Sequence, residues 1–184
     1  MASLLTHPVV PVVLGLALKN SKITFPLLLA AAIASILPDL DVIAFHFGIP
    51  YASPFGHRGF THSISFSIVV GLVGMMGYRL LKTTPMWAFA GLFIGSVSHP
   101  LLDAMTNGGL GVAWLWPWDD RRYFLPDRPI QVSPIGVSRF LSERGLQVLW
   151  SELQWVWLPM ISIGLAMYGV RVSYSRLFRK ELIE

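Results

Sequence analysis

Seven residues among the first 103 positions have types and spacings that can do chemistry: His7, Asp39, Asp41, His57, His62, His99 and Asp103. The aspartates are the only three carboxylates before residue 119, and the chain has no cysteine. Imidazole and carboxylate without thiolate form a donor set for Zn, and also for Mn or Fe. His99 and Asp103, in "HPLLD", are four apart and stack on one helix face. His57 and His62, in "GHRGFTH", are five apart and would diverge on a single helix. They converge only if His57 lies in a loop and His62 in the first helical turn, a bend that Gly56 and Gly59 permit. "PDLD" (38–41) follows an apolar run and can present both carboxylates, as terminal or bridging ligands. Seven donors exceed one tetrahedral site, so the expected count is two metal ions, with Zn first and Mn or Fe as alternatives.

The elements that must position these residues are apolar. Hydrophobic residues make up 54% of the 184 and charged residues 13%, with a mean hydropathy of +0.60. Soluble domains carry about 25% charged residues, so this chain is expected to face lipid. The sequence reads as one domain over 1–184, with no composition shift or internal repeat. Net charge is +4 and the pI is near 9.7. The basic residues punctuate apolar runs, as the flanks of membrane helices do, so no nucleic acid is expected as primary partner. The early apolar stretch lacks a basic leader and is interrupted by Lys19 and Lys22, which favours membrane helices over a signal peptide.

Five apolar segments stand out, at about Pro8–Leu18, Ile23–Leu37, Thr61–Leu81, Pro85–Met105 and Trp150–Val172. The first is short for a full span. Pro38 is expected to stop the second, Thr61 or Ser63 to cap the third, and Pro85 to open the fourth. Pro100 and Pro159 are candidate kinks. Trp150, Trp155 and Trp157 resemble an interfacial belt. Between the fourth and fifth segments, about 106–147, lies a polar-aromatic cap containing "WLWPWDDRRYFLP". The fold class is therefore an all-α integral membrane bundle of about five apolar helices with a surface cap loop.

Alternating helices place Lys19, Lys22, Arg79, Lys82, Arg171, Arg176, Arg179 and Lys180 on one side, eight of the 14 basic residues and all the lysines. The positive-inside rule makes that side cytoplasmic. The seven donors, from four helix ends, then fall on the opposite face. A lone His or Asp at a membrane helix end often snorkels, caps a helix or bonds to a neighbouring helix. Ionisable groups at such depth are costly and usually functional, and the convergence of seven favours a metal site. His46 fits no pattern and reads as a loop residue. Arg58 is either a headgroup-directed side chain or an anion clamp, with Arg121 and Arg122 of the cap as further phosphate-holding candidates.

N-terminal "TH", "PDLD", "GHRGFTHS", "SHPLLDAMT" and the later "LWP…RRYFLP" resemble the YdjM-type membrane-bound metal-dependent hydrolases, a family also labelled LexA-binding and inner-membrane-associated. The resemblance covers about residues 6–145. The family is in turn similar to zinc-dependent phospholipases C and zinc single-strand nucleases, all-helical phosphoesterases. The resemblance implies that His99 and Asp103 are the helical HxxxD pair, with the aspartate bridging two metals. His7 matches the early histidine of the second metal, Asp39 the ligand that also serves as base, and His57 or His62 the remaining imidazole. The soluble enzymes carry a further downstream His and Glu; here no histidine follows His99, and Asp41 or Glu143 is the substitute.

The expected function is hydrolysis of a phosphoester of a membrane lipid by a metal-activated water, with Asp39 and Arg58 as catalytic residues on the non-cytoplasmic side of a bacterial inner membrane. An amide or ester hydrolase would use the same metals. An ion-coupled transporter would want charges near helix centres and repeated halves. Regulator binding, implied by the family label alone, would use cytoplasmic loops, which are short.

Overall fold

The computed structural model describes residues 1–181, with side chains described for all of these except 137 and 175–181. Arg176, Arg179 and Lys180 of the basic flank therefore lie outside the described side chains. The chain is all-helical. Helix α1 spans Val9–Leu18. α2, Phe25–Ala34, starts at Thr24, whose hydroxyl accepts from Leu27 N–H, with proline in the first turn. Pro38 does not end the helical path as expected. Lacking an N–H, it fits the first turn of a tighter 3-10 helix, Leu37–Phe47, an unusually long run for that geometry. α3, Ile64–Met76, begins at Ser63, whose hydroxyl accepts from Phe66 N–H. α4, Pro85–Ala104, runs unbroken through Pro100.

The cap, 106–136, is irregular and carries isolated bridges, Thr106 with Ile130 and Val112 with Tyr123. A short α5 (Val137–Phe140) leads to α6 (Glu143–Glu152), a π-helical turn (Leu153–Trp157) and α7 (Leu158–Glu181). Pro159 follows directly on the π-helical turn, inside the continuous helical run Glu143–Tyr174, and both features are recognised causes of a helix bend.

The five apolar segments all fold as helices, but the bundle of five spans is corrected to two candidates. Phe25–Phe47 and Glu143–Tyr174 are long and apolar enough to cross a membrane, while Val9–Leu18 and Ile64–Met76 are shorter. At 1.5 Å per residue, the 13 residues of α3 reach about 20 Å, short of a hydrocarbon core of about 30 Å. α4 has 20 residues, but His99, Pro100, Asp103 and its serines lower its apolarity.

Glycine decides how α2 meets α4. A Cβ on Gly95 would stand 2.4 Å from the Ala31 carbonyl oxygen, and one on Gly91 would strike the Leu27 side chain. Gly91, Gly95, His99 and Asp103 recur every four residues, as do Leu27, Ala31 and Ser35, so the two helices run parallel along matched stripes. Close approach through small residues is a common way for helices to associate in lipid, where apolar burial gives no driving force.

Beside a small apolar cluster of Ala2, Leu102, Ile130 and Val156, the interior holds many polar side chains, while much of the exterior is apolar. The largest fully buried side chains include Arg58, His7, His57, His62, His99 and Glu152. Outside, Val69, Val73 and Met76 of α3 and Leu158, Leu165 and Val170 of α7 are exposed. An exposed apolar surface of this extent marks an interaction surface, and lipid fits it. The basic flanks meet at one end: Thr83 Oγ1 donates to Lys22 O (2.5 Å), Thr24 Oγ1 to Leu81 O (2.5 Å) and Arg171 to Ala17 O (2.8 Å).

Candidate metal centre

The seven donors reach the centre from five segments of the chain. His7 lies in the turn before α1, Asp39 and Asp41 in the 3-10 helix, His57 in a loop, His62 at the end of the short helix Phe60–His62, and His99 and Asp103 on α4. All are buried. The imidazoles form a continuous file, with ring centroids 5.6 Å apart for His57–His62, 4.7 Å for His62–His99 and 3.7 Å for His99–His7, the last pair stacked at 15°.

Four of the residues aim donor atoms at one point. Ligand atoms of Asp39, His62, His99 and Asp103 lie within 4.8 Å of one another. His62 Nε2 and His99 Nε2 are 3.1 Å apart. Asp39 Oδ1 is 3.3 Å from His99 Nε2 and 3.8 Å from His62 Nε2. Asp103 Oδ2 is 3.6 Å from His62 Nε2 and 4.0 Å from His99 Nε2. Ligands on a tetrahedron with bonds of about 2.1 Å sit about 3.4 Å apart, so the spacing suits one such ion. Both oxygens of Asp39 are buried without a hydrogen-bond partner, and Oδ2 of Asp103, also without a hydrogen bond, has the Arg58 guanidinium beside it. Buried carboxylate oxygens left in that state are costly, and a cation satisfies them. The donor set fits a divalent metal.

The remaining nitrogens of the two imidazoles are engaged in ways that aim Nε2 inward. His99 Nδ1 donates to the Ser35 carbonyl at 2.7 Å. His62 Nδ1 faces Asp41 Oδ2 at 3.2 Å. Ligating histidines are commonly oriented by such outer partners. Burial opposes charge on His62, but the Asp103 and Asp41 carboxylates beside it outweigh that and raise its pKa to about 9. His7 goes the other way: burial, with His99 adding to it, lowers its pKa to about 3. His7 is therefore a neutral imidazole, both nitrogens unpartnered, with Nε2 3.8 Å from Asp103 Oδ1.

Asp41, His57 and His62 form a second donor group, but Asp41 is occupied. It accepts from His57 Nδ1 (2.6 Å), Arg58 N–H (3.0 Å) and Thr61 Oγ1 (2.7 Å) besides His62. Asp41 therefore lies behind the four-donor set, ordering the loop that brings His57, Arg58 and His62 together.

The arginines are not arranged as expected. Arg58 is fully buried, with a left-handed φ of 63° that costs a non-glycine residue about 1 kcal/mol. Its Nε lies 3.0 Å from Asp103 Oδ2, off the line of a good hydrogen bond. Its other nitrogens donate to Gly108 O and Thr106 Oγ1. Arg58 thus holds Asp103 instead of standing open to an anion. Arg122 donates to the carbonyls of His57, Tyr51 and Ser53, tying the cap to the donor loop. Arg121 is exposed and paired with Asp119 at 2.8 Å. Neither cap arginine faces the four donors as a phosphate holder, because both are engaged elsewhere.

Glu143, the suggested substitute ligand, is exposed. Among the described residues the buried glutamate is Glu152, a residue outside the seven-donor pattern of the sequence. Its carboxylate accepts from Ser3 N–H, Ser3 Oγ (2.6 Å) and Thr6 Oγ1 (2.7 Å), fixing the segment that carries His7. Trp157 Nε1 donates to the same Thr6 hydroxyl at 2.8 Å. A carboxylate beside an apolar run was the available signal.

Comparison with known proteins agrees with this picture of a membrane chain. The model of the family described as YdjM inner membrane protein matches residues 1–177. The inner membrane protein YbcI of Escherichia coli (strain K12) is 45% identical over 167 residues, covering 90% of this chain and 96% of that one. The inner membrane proteins YdjM of Escherichia coli (strain K12) and Shigella flexneri are each 31% identical over 109 residues, 53% of this chain and 52% of theirs. This match thus spans about half the length of the YdjM proteins. No solved structure matches the chain. With a family match over nearly its whole length, the chain belongs to the YdjM inner membrane protein family.

Proposed function

We propose that this protein is a membrane-bound metal-dependent hydrolase that cleaves a phosphoester of a membrane lipid, using one divalent ion held by Asp39, His62, His99 and Asp103. The observation that carries the reading is the buried cluster of carboxylate oxygens and imidazole nitrogens, with both Asp39 oxygens unpartnered at the wall of a cavity. The count of one replaces the expected two, because Asp41 is saturated and His7 stacks on His99 instead of converging with the four. Zn suits the donors best, with Mn or Fe as alternatives.

A divalent ion bound there would supply Lewis acidity to a phosphoryl oxygen and would lower the pKa of water at the site. The chain's own residues do the rest. Asp39 has two free oxygens and borders a cavity, so one oxygen can ligate while the other takes the proton of the attacking water. The water oxygen bonds to phosphorus as the ester oxygen leaves with a proton. Arg58 orients Asp103 and balances its charge, while Asp41 orients His62 and His57. His7 stacks on His99 beside Asp103 and orders that side of the site.

The same reading makes the protein multi-pass with its site on the non-cytoplasmic side, supported by the gathering of the basic flanks at the end away from the donors. The test is metal analysis of purified protein in lipid, followed by turnover of lipid and soluble phosphoesters with and without chelator. About one ion per chain and chelator-sensitive phosphate ester cleavage are expected. Bound metal with inert phosphoesters but active carboxylic esters or amides would replace the substrate class; no bound metal would overturn the reading.

A further inference from the structure

A cavity of about 370 Å³ lies between the N-terminal segment, the 3-10 helix and the 133–140 loop, and Asp39 is part of its wall. The rest of its lining is largely apolar, including Leu4, Leu5, Val42, Ile135 and Phe140. The volume falls in the range of small-molecule sites, about 300–1,000 Å³. Leu4, Leu5 and Ile135 are also 52%, 59% and 45% exposed, forming apolar lips on a protein whose outer surface faces lipid. The walls are braced: Ser133 N–H donates to Met1 O at 2.9 Å, and Glu152 anchors Ser3.

The cavity joins an apolar body to one reactive polar point. Asp39 is 3% exposed and both its oxygens lack partners. Its carboxylate is one of the four donors proposed to hold the cation, so that cation would lie at the polar end of the apolar cavity, where an anionic head would meet it. At about 30 Å³ per water-sized group, the space takes on the order of a dozen methylenes. That is one hydrocarbon chain, with no room for a second.

We propose that this cavity houses the single tail of the substrate, which is a single-chain amphiphile, an alkyl or prenyl phosphoester, entering between Leu4, Leu5 and Ile135 with its head at Asp39. This rests on the hydrolase reading and adds the tail site and the number of tails. The volume seats one tail, which favours a single-chain amphiphile over a two-chain lipid, and short soluble esters bind without the tail's contribution.

The experiment uses the full chain in nanodiscs and a single-chain alkyl phosphate carrying a photoactivatable group near its tail end. Crosslinks are expected within residues 1–5 and 133–140. Crosslinks confined to the outer faces of α3 and α7 would overturn the proposal. Turnover is read separately across alkyl phosphoesters of decreasing length: kcat/KM should fall about fourfold per methylene removed, and a two-chain phosphoester should be poor. Ile135→Trp should suppress crosslinking and long-chain turnover while sparing metal content and short-ester turnover. Equal loss on long and short esters with metal retained, or no loss at all, would count against the tail site. Should Ile135→Trp misfold, the wild-type length series and crosslink map decide alone. Crosslinking in the cavity without hydrolysis would keep the tail site and reject the reaction; hydrolysis with no length dependence and no crosslink would do the reverse.

Discussion

His99 Nδ1 lies 2.7 Å from the Ser35 carbonyl oxygen, and that contact exists because α2 and α4 approach closely one turn earlier. Gly95 meets the Ala31 backbone there, and a methyl group at 95 would stand 2.4 Å from the Ala31 oxygen. Gly95→Ala should therefore part the helices, costing about 1–3 kcal/mol, and lower metal content although no ligand is changed. Gly91→Ala meets only the movable Leu27 side chain and should be milder. Thermal denaturation and metal analysis of both variants decide; equal behaviour would show that the backbone contact does not set the site.

Ligands and their orienting partners should separate in a metal titration. Asp103→Ala and His99→Ala each remove one of four donors and should leave almost no bound metal after dialysis. Asp41→Asn disturbs the residue behind His62 and should weaken binding by about 10–100-fold while leaving a saturable site. Competition with a chelating dye measures this. Full loss in the Asp41 variant would make Asp41 a ligand.

Glu152 is expected to matter for stability more than for metal. Glu152→Ala strands Ser3 N–H, the Ser3 hydroxyl and the Thr6 hydroxyl as buried donors. At about 1 kcal/mol or more for each, the loss should be on the order of 3 kcal/mol, with faster amide exchange in residues 2–8. Unchanged exchange in that segment would show that Glu152 does not anchor it.

Orientation is testable because the chain has no cysteine. Asp120→Cys, in the cap, should react with an impermeant maleimide from the non-cytoplasmic side of intact vesicles. Asn20→Cys, between α1 and α2, should react only from the cytoplasmic side. The opposite pattern would invert the proposed topology and move the site to the inner leaflet.

The sequence by itself determined the residue types that meet. Helical spacing put His99 and Asp103 on one face, composition marked a membrane chain, and the ends of apolar runs collected His7, the two aspartates and the loop histidines on one side. These are local or compositional properties, and they survive whatever packing follows. Tertiary structure decided what each residue faces. Asp39 and Asp41 are two apart in one motif, yet one is left unpartnered and the other takes four donors, because the loop of His57 and Thr61 folds over only one of them. Arg58 looked free for an anion until burial placed it against Asp103. Phe25–Phe47 gained a spanning length only because a 3-10 helix continues past Pro38, while Ile64–Met76 fell short because its helix stops early. Such outcomes depend on which backbones approach and which donors remain after the chain has satisfied itself, a condition set in space by the glycine contacts of α2 and α4 and by the cap.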